Sequence, residues 1–252
     1  MEVHHHPHTP DSYRERKKWT HYLWEFLMLF LAVTLGFLVE NMREHYVENQ
    51  RERQYIKSFY EDLTADEYDF QLNIIFLREQ MQQADTLQKL MLNIKTGQPA
   101  NRIYMYLRGM TRSSAGRLYP NDRTIVQLRN AGGMRLIKNK NVSDSMVGYY
   151  RTVEIIQFLI DEGLNNRRLL REKYMPLLNA AGFLKIIDST NEIIDVPEIL
   201  YLRKNDPDLI NECLIEIDRI KTLNGTLARR IQRLKEKAGR IKEFIKQEYH
   251  LK

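Results

Sequence analysis

A chain of 252 residues with 39 Lys and Arg against 33 Asp and Glu has a formal charge of +6. With 29% charged residues and a mean hydropathy of −0.52, it is too polar overall for a multispanning channel or transporter. It is long enough for one sizeable domain or an elongated helical body. Cys213 is the only cysteine, which excludes an intrachain disulfide and suits the cytoplasm or a periplasm; it reads as small core filler.

Residues 1–21, MEVHHHPHTPDSYRERKKWTH, show no apolar periodicity and read as a short cytoplasmic tail. His4, His5, His6 and His8 are the weak metal candidates, since imidazoles bind borderline divalent ions. A tail without metal function is the plainer reading, and no cofactor is expected.

The chain is organised around LWEFLMLFLAVTLGFLV, Leu23 to Val39, with no charge between Phe26 and Val39. Residues 22–41, rising ~1.5 Å each, span a core of roughly 30 Å if Glu25 and Glu40 sit at the headgroups. Trp19, Tyr22 and Trp24 would form one aromatic belt, with Tyr46 marking the other side. Two alternatives stand: the buried central helix of a soluble protein, and a cleaved signal peptide. A core helix usually keeps a polar face, whereas only Thr34 and Gly36 interrupt this one. The exit TLGFLVENMREH lacks a small-x-small cleavage site. Arg14, Arg16, Lys17 and Lys18 precede the span, and Arg43 alone follows closely. That bias predicts a single-pass protein of a bacterial inner membrane, N-terminus cytoplasmic and residues 42–252 periplasmic.

From Asn41 to Ile94 there is no Pro or Gly, so the helix is expected to continue as a rod over about 42–95. Ile56, Tyr60, Leu63, Glu67, Phe70, Ile74, Leu77, Met81 and Ala84 form its stripe, and Gly97, Gln98 and Pro99 end it. Glu61, Asp62, Asp66, Glu67 and Asp69 read as a solvated acidic face. Residues 101–118 give a short helix, and Asn121 or Asp122 caps the next, TIVQLRNAG. Ser113, Ser114 and Gly116 suggest a phosphate loop, but no GxxxxGK[ST] or preceding strand accompanies them. Arg123, Arg129, Arg135, Lys138 and Lys140 gather near Gly132 and Gly133, and are expected to pair with the acidic rod.

A second long helix is expected over about 143–178, started by Ser143 or Asp144 and bent or ended at Pro176. Its apolar face is read as Val147, Tyr150, Val153, Ile156 or Gln157, Ile160 and Leu164, on to Leu169 and Tyr174.

MEVHHHPH, FLMLFLAVTLGFLVENMREH, RERQYIKSFYEDL and TIVQLRNAGGMRLIKNKNVSDSMVGYY together resemble a family of uncharacterised single-span inner-membrane proteins from Bacteroidota. The resemblance covers the first 63 residues and about 124–150. It implies a bacterial protein with a native histidine-rich start, and carries no activity or catalytic residue onto this chain.

Residues 183–207 form an irregular connector, in which Ile186–Ile187 and Ile193–Ile194 allow short strands. Asp206 and Pro207 then open a last helix over about 208–250. Its heptads place Cys213, Ile220, Leu227, Leu234 and Ile241 at one core position and Ile217, Asn224, Ile231, Ala238 and Ile245 at the other. Asn224 is the type of residue that fixes register or oligomer state in such a seam, and Gly225 beside it should weaken the helix. The basic end offers Arg229, Arg230, Arg233, Lys235, Lys237, Arg240, Lys242 and Lys246 to anionic lipid or an acidic partner. A solvated or internally paired face is the alternative. If this helix packs antiparallel to the rod, it returns that charge toward the membrane.

The expected fold is all-α: one transmembrane helix continuing into a rod that packs in an elongated bundle or coiled coil. No HExxH, CxxC or GxSxG points to an enzyme, and none is expected. The expected role is a membrane-anchored interaction or scaffold protein that self-associates or binds another membrane or periplasmic protein. A sensory or ligand-binding ectodomain is the alternative, and nucleic acid is not an expected partner.

Overall fold

The computed structural model describes residues 19–112 and 118–251, and the chain divides after Arg51 into two units. The histidine tail, the basic residues before the span and Ser113, Ser114 and Gly116 lie outside the described residues. The fold is all-α, without a strand among those residues. Six helices follow in order: α1 Trp19–Asn93, α2 Asn101–Met110, α3 Arg123–Asn130, α4 Lys140–Tyr174, α5 Ala180–Lys185 and α6 Pro207–Tyr249.

In the first unit, the opening stretch of α1 contains an 18-residue window of mean hydropathy 2.0, none of it buried. Trp24, Leu29, Val33, Phe37 and Val39 are all more than half exposed. A soluble core helix would bury such residues within its own chain, and none of them is buried here. Polar pairs flank the span: His21 meets Glu25 at 2.9 Å, and Arg43 meets Glu40 at 2.5 Å.

In the second unit α1 turns amphipathic. Ile56, Leu63, Phe70, Ile74, Leu77 and Ala84 are buried as the periodicity predicts, and Phe59, Leu87 and Met91 join them. Tyr60, Glu67 and Met81 lie only half-buried at the edge. The uniformly solvated acidic face is wrong at two positions, because Asp62 and Asp66 are buried. Asp66 binds the segment before α3, and Asp62 binds the first turn of α3 itself.

α6 begins where Asp206 accepts from the amides of Asp208 (3.1 Å) and Leu209 (3.3 Å). Pro207 at the first helical position has no N–H to leave unsatisfied. All ten heptad positions are buried within this one chain. The seam is therefore filled within this chain. α6 runs antiparallel to α1: Asn205 donates to the Ile94 carbonyl, Lys235 to Gln71 at 2.7 Å, Lys242 to Glu67 at 2.8 Å, and the Tyr249 hydroxyl to Glu52 at 2.7 Å. Gly225 does not interrupt the helix. A Cβ there would lie 3.3 Å from Met81 Cε, so the missing side chain admits close approach of α1.

α4 is also antiparallel to α6, with Lys237 reaching the Gly148 carbonyl near one end and Lys173 meeting Glu212 at 2.8 Å near the other. It starts three residues before Ser143. Asn139, extended after the 3₁₀ turn Gly133–Leu136, accepts from the amides of Asn141 (3.0 Å) and Val142 (3.3 Å) and takes the cap from Ser143. The helix ends at Tyr174, before a 3₁₀ turn, Met175–Leu177, that holds Pro176. Val147 is exposed, whereas Met146, Tyr149, Leu170 and the charged Arg167 are buried.

Two apolar cores result. One joins Phe59, Leu63 and Phe70 of α1 to Tyr149 and Ile156 of α4 and Ile231 and Leu234 of α6. The other joins Leu87 and Met91 to Tyr104 and Leu107 of α2, Tyr174 of α4 and Ile217 of α6. The connector packs on this second core as extended chain. Its only strand-like feature among the described residues is an antiparallel bridge between Ile187 and Ile193. Asp188 closes the intervening turn by accepting from the amides of Thr190 and Glu192, each at 2.9 Å. The Tyr104 hydroxyl accepts from the Asn179 amide (2.7 Å) and donates to the Tyr201 carbonyl (2.8 Å), fixing both flanks of the segment.

Candidate anion-binding pocket

α2 ends in the protein interior, where the last carbonyls of a helix lack intrahelical donors. Arg167 and Arg171, one turn apart on α4, supply them: Arg167 donates to the Met110 carbonyl and Arg171 to the Thr111 carbonyl. Cations at a helix C-terminus also oppose its partial negative charge. Thr111 Oγ1 lies 3.0 Å from the Tyr174 hydroxyl, which ties the same turn to α4.

Beside this junction is a cavity of about 500 Å³ lined by Arg108, Thr111, Arg112, Arg171, Tyr174, Met175, Phe183 and Asn191. Arg108 places its guanidinium 4.4 Å from the Phe183 ring centroid, a cation–π position that orients the group without using its donors. It has no hydrogen-bond or ion-pair partner among the described residues. Burial holds its pKa below the ordinary arginine value, and the like charges of Arg112 and Arg171 act in the same direction against Tyr174. Arg112 contacts Glu192 at 3.3 Å and the Asn191 carbonyl at 3.1 Å. Among the described residues, three guanidinium groups therefore share one cavity with one exposed carboxylate, Glu192, at its edge. A larger cleft of about 760 Å³ is lined by Lys89, Arg102, Asp195 and Asn101, and its charges are of mixed sign.

Arg167 lies deeper, 5% exposed, with Asn224 Oδ1 at 3.4 Å as its other partner. Burial lowers its pKa to about 10, so it remains a cation at neutral pH. Asn224 thus faces α4 of its own chain. The Asn224 Nδ2 group is buried without a hydrogen-bond partner among the described residues.

The basic patch on α6 is only partly open. Lys235, Lys237 and Lys242 are half-buried and bonded to Gln71, Gly148 with Thr152, and Glu67 respectively. Arg229, Arg230, Arg233, Arg240 and Lys246 are exposed. The expected pairing of basic and acidic groups is realised in one specific form. Asp62 meets Arg123 at 3.2 Å and accepts from the Thr124 hydroxyl (2.5 Å) and amide (3.2 Å), so it, and not Asn121 or Asp122, caps α3. Asp66 accepts from the Asn121 amide (2.7 Å), the Asn121 side chain (2.9 Å) and the Tyr149 hydroxyl (2.5 Å). These carboxylates dock a loop and are not a solvent-facing site. Among the described residues no group of His, Cys, Asp and Glu is arranged to hold a metal.

Arg108, Arg112 and Arg171 are absent from the sequence-predicted sites. The available signal was Arg167 and Arg171 at a four-residue interval on the α4 face that also carries Leu170 and Tyr174. No family model, curated protein or solved structure matches this chain.

Proposed function

We propose that this is a single-pass membrane-anchored interaction protein of a bacterial inner membrane, its helical body an elongated bundle of the second unit. The observation that carries the reading is the wholly exposed apolar opening of α1, on a helix that continues into an internally packed body. Exposed protein in water rarely keeps so long an apolar run, whereas lipid favours it. The body would meet its partner through surface groups, because the heptad seam is already buried. Candidates are Tyr68, Leu72 and Ile75, exposed at helical spacing on α1, and the five open cations of α6. Self-association would use such a face.

The basic flank before the span supports a cytoplasmic N-terminus and a periplasmic body. A reporter enzyme active only in the periplasm, fused after Lys252, should be active; activity solely from a cytoplasm-dependent reporter would reverse the orientation. Photocrosslinking from Leu72 in intact membranes should give a discrete adduct that a probe at buried Leu77 does not. Equal yields from the two positions would reject the α1 face.

A ligand-binding ectodomain is the second reading, and the arginine-lined cavity favours it. Its test is saturable anion binding by the full-length protein.

A further inference from the structure

We infer that the cavity at the end of α2 is a binding site for an organic phosphomonoester, its phosphate received by Arg108 and Arg171 and its organic part by Phe183 and Met175. The inference rests on the ligand-binding reading above.

The division of labour among the arginines supports this assignment. Arg167 is consumed by structure, because its donors face the Met110 carbonyl and Asn224 in the interior. Arg171 uses one terminal nitrogen on the Thr111 carbonyl, which fixes the side chain and leaves other N–H groups for a ligand. Arg112 is tethered to Glu192 and Asn191 across the cavity edge. Among the described residues, Arg108 is held by the face of Phe183 alone, with its donors unused by any of them. A guanidinium stacked on a ring and offering its fork matches phosphate geometry better than a lysine ammonium would.

Charge and wall chemistry narrow the class. Arg108, Arg112 and Arg171 carry three positive charges, and Glu192 offsets one, leaving a local excess of two. A phosphomonoester approaches two negative charges at neutral pH, with a second pKa of about 6. The Phe183 ring and the Met175 thioether give the cavity an apolar side that a bare inorganic anion would not use. The Thr111 and Tyr174 hydroxyls, already in mutual contact, add neutral polar atoms to the lining.

The test uses the full chain in detergent micelles, with isothermal titration at constant ionic strength and phenyl phosphate, inorganic phosphate and benzoate as probes. Phenyl phosphate should bind saturably and at least about tenfold more tightly than either other probe. Its affinity should fall as pH drops from 7.5 to 5.5 and the dianion takes a proton, while the arginines stay charged. Arg108→Gln should weaken binding by about tenfold or more, with the ligand-free melting temperature only slightly lowered, because its guanidinium has no hydrogen-bond or ion-pair partner among the described residues and gives up only its stacking on Phe183. Phe183→Leu should weaken phenyl phosphate and leave inorganic phosphate unaffected. Absence of phenyl phosphate binding, or undiminished binding by Arg108→Gln, overturns the assignment. Equally tight benzoate binding overturns the phosphate class but leaves a ligand-binding body standing. Equally tight inorganic phosphate overturns the organic part. Failure of all three probes removes both the assignment and the ligand-binding reading.

Discussion

Tyr149→Phe removes one oxygen from a fully buried side chain and should be disproportionately costly. The Tyr149 hydroxyl donates to Asp66 Oδ2 at 2.5 Å, while the two Asn121 donors both go to Oδ1. The ring would keep its edge-on contact with Phe59, at 6.1 Å between centroids, so packing is retained and the hydrogen bond is isolated. Burial pushes the Asp66 carboxyl above its usual value, and the Tyr149 and Asn121 donors oppose that shift. Removing the hydroxyl leaves a buried carboxylate oxygen short of its donor, with an expected loss of about 1.5–3 kcal/mol at neutral pH. For a body of this size that is a fall of about 3–12 °C in melting temperature. The sign of the pH dependence follows from linkage. A carboxyl whose folded pKa lies above its unfolded value favours folding most below the unfolded pKa and loses that contribution as pH rises through the folded one. The substitution raises the folded pKa further, so the penalty should be larger at pH 7.5 than at pH 5. Urea unfolding followed by far-UV circular dichroism at both values measures it. A loss under about 0.5 kcal/mol at pH 7.5, or one independent of pH, would refute the placement of this hydrogen bond.

Asp206→Ala should cost about 1 kcal/mol in the same assay, because the Asp208 and Leu209 amides lose their acceptor; a loss within error would mean that the cap is dispensable. Arg167→Met should cost about 1–3 kcal/mol by leaving the Met110 carbonyl and Asn224 without their buried donor. Combined with Asn224→Leu, which removes the partner amide, the total should be less than the sum of the single changes, and strict additivity would deny their coupling.

The features legible in the sequence are those where one element carries its own signal. The heptads of α6 alternate apolar residues over many turns, and all ten named positions are buried. Asp206 followed by Pro207 marks that helix start within three residues of chain, so no distant contact is needed to read it. The long α1 follows from a Pro- and Gly-free run, and its lipid-like opening from unbroken hydropathy. What escaped depends on distant pairing. Asp62 and Asp66 look solvated on an isolated helix, and only residues 121–124 at the start of α3, together with Tyr149 of α4, give them donors worth burying. Ser143 is a plausible cap until the 3₁₀ turn before α4 sets Asn139 in extended geometry. The arginine cavity collects Arg108, Arg171 and Phe183 from three separate helices. Their convergence follows from α2 ending against α4, a long-range event without a local motif.

The most direct test of the central claim is alkaline carbonate extraction of membranes from bacteria making the full chain, with intact-mass analysis of the protein recovered. The exposed apolar run at Leu23–Val39 predicts that the protein remains in the membrane pellet with that run intact. Release into the carbonate supernatant, or a recovered mass lacking the residues through Val39, would contradict a membrane anchor.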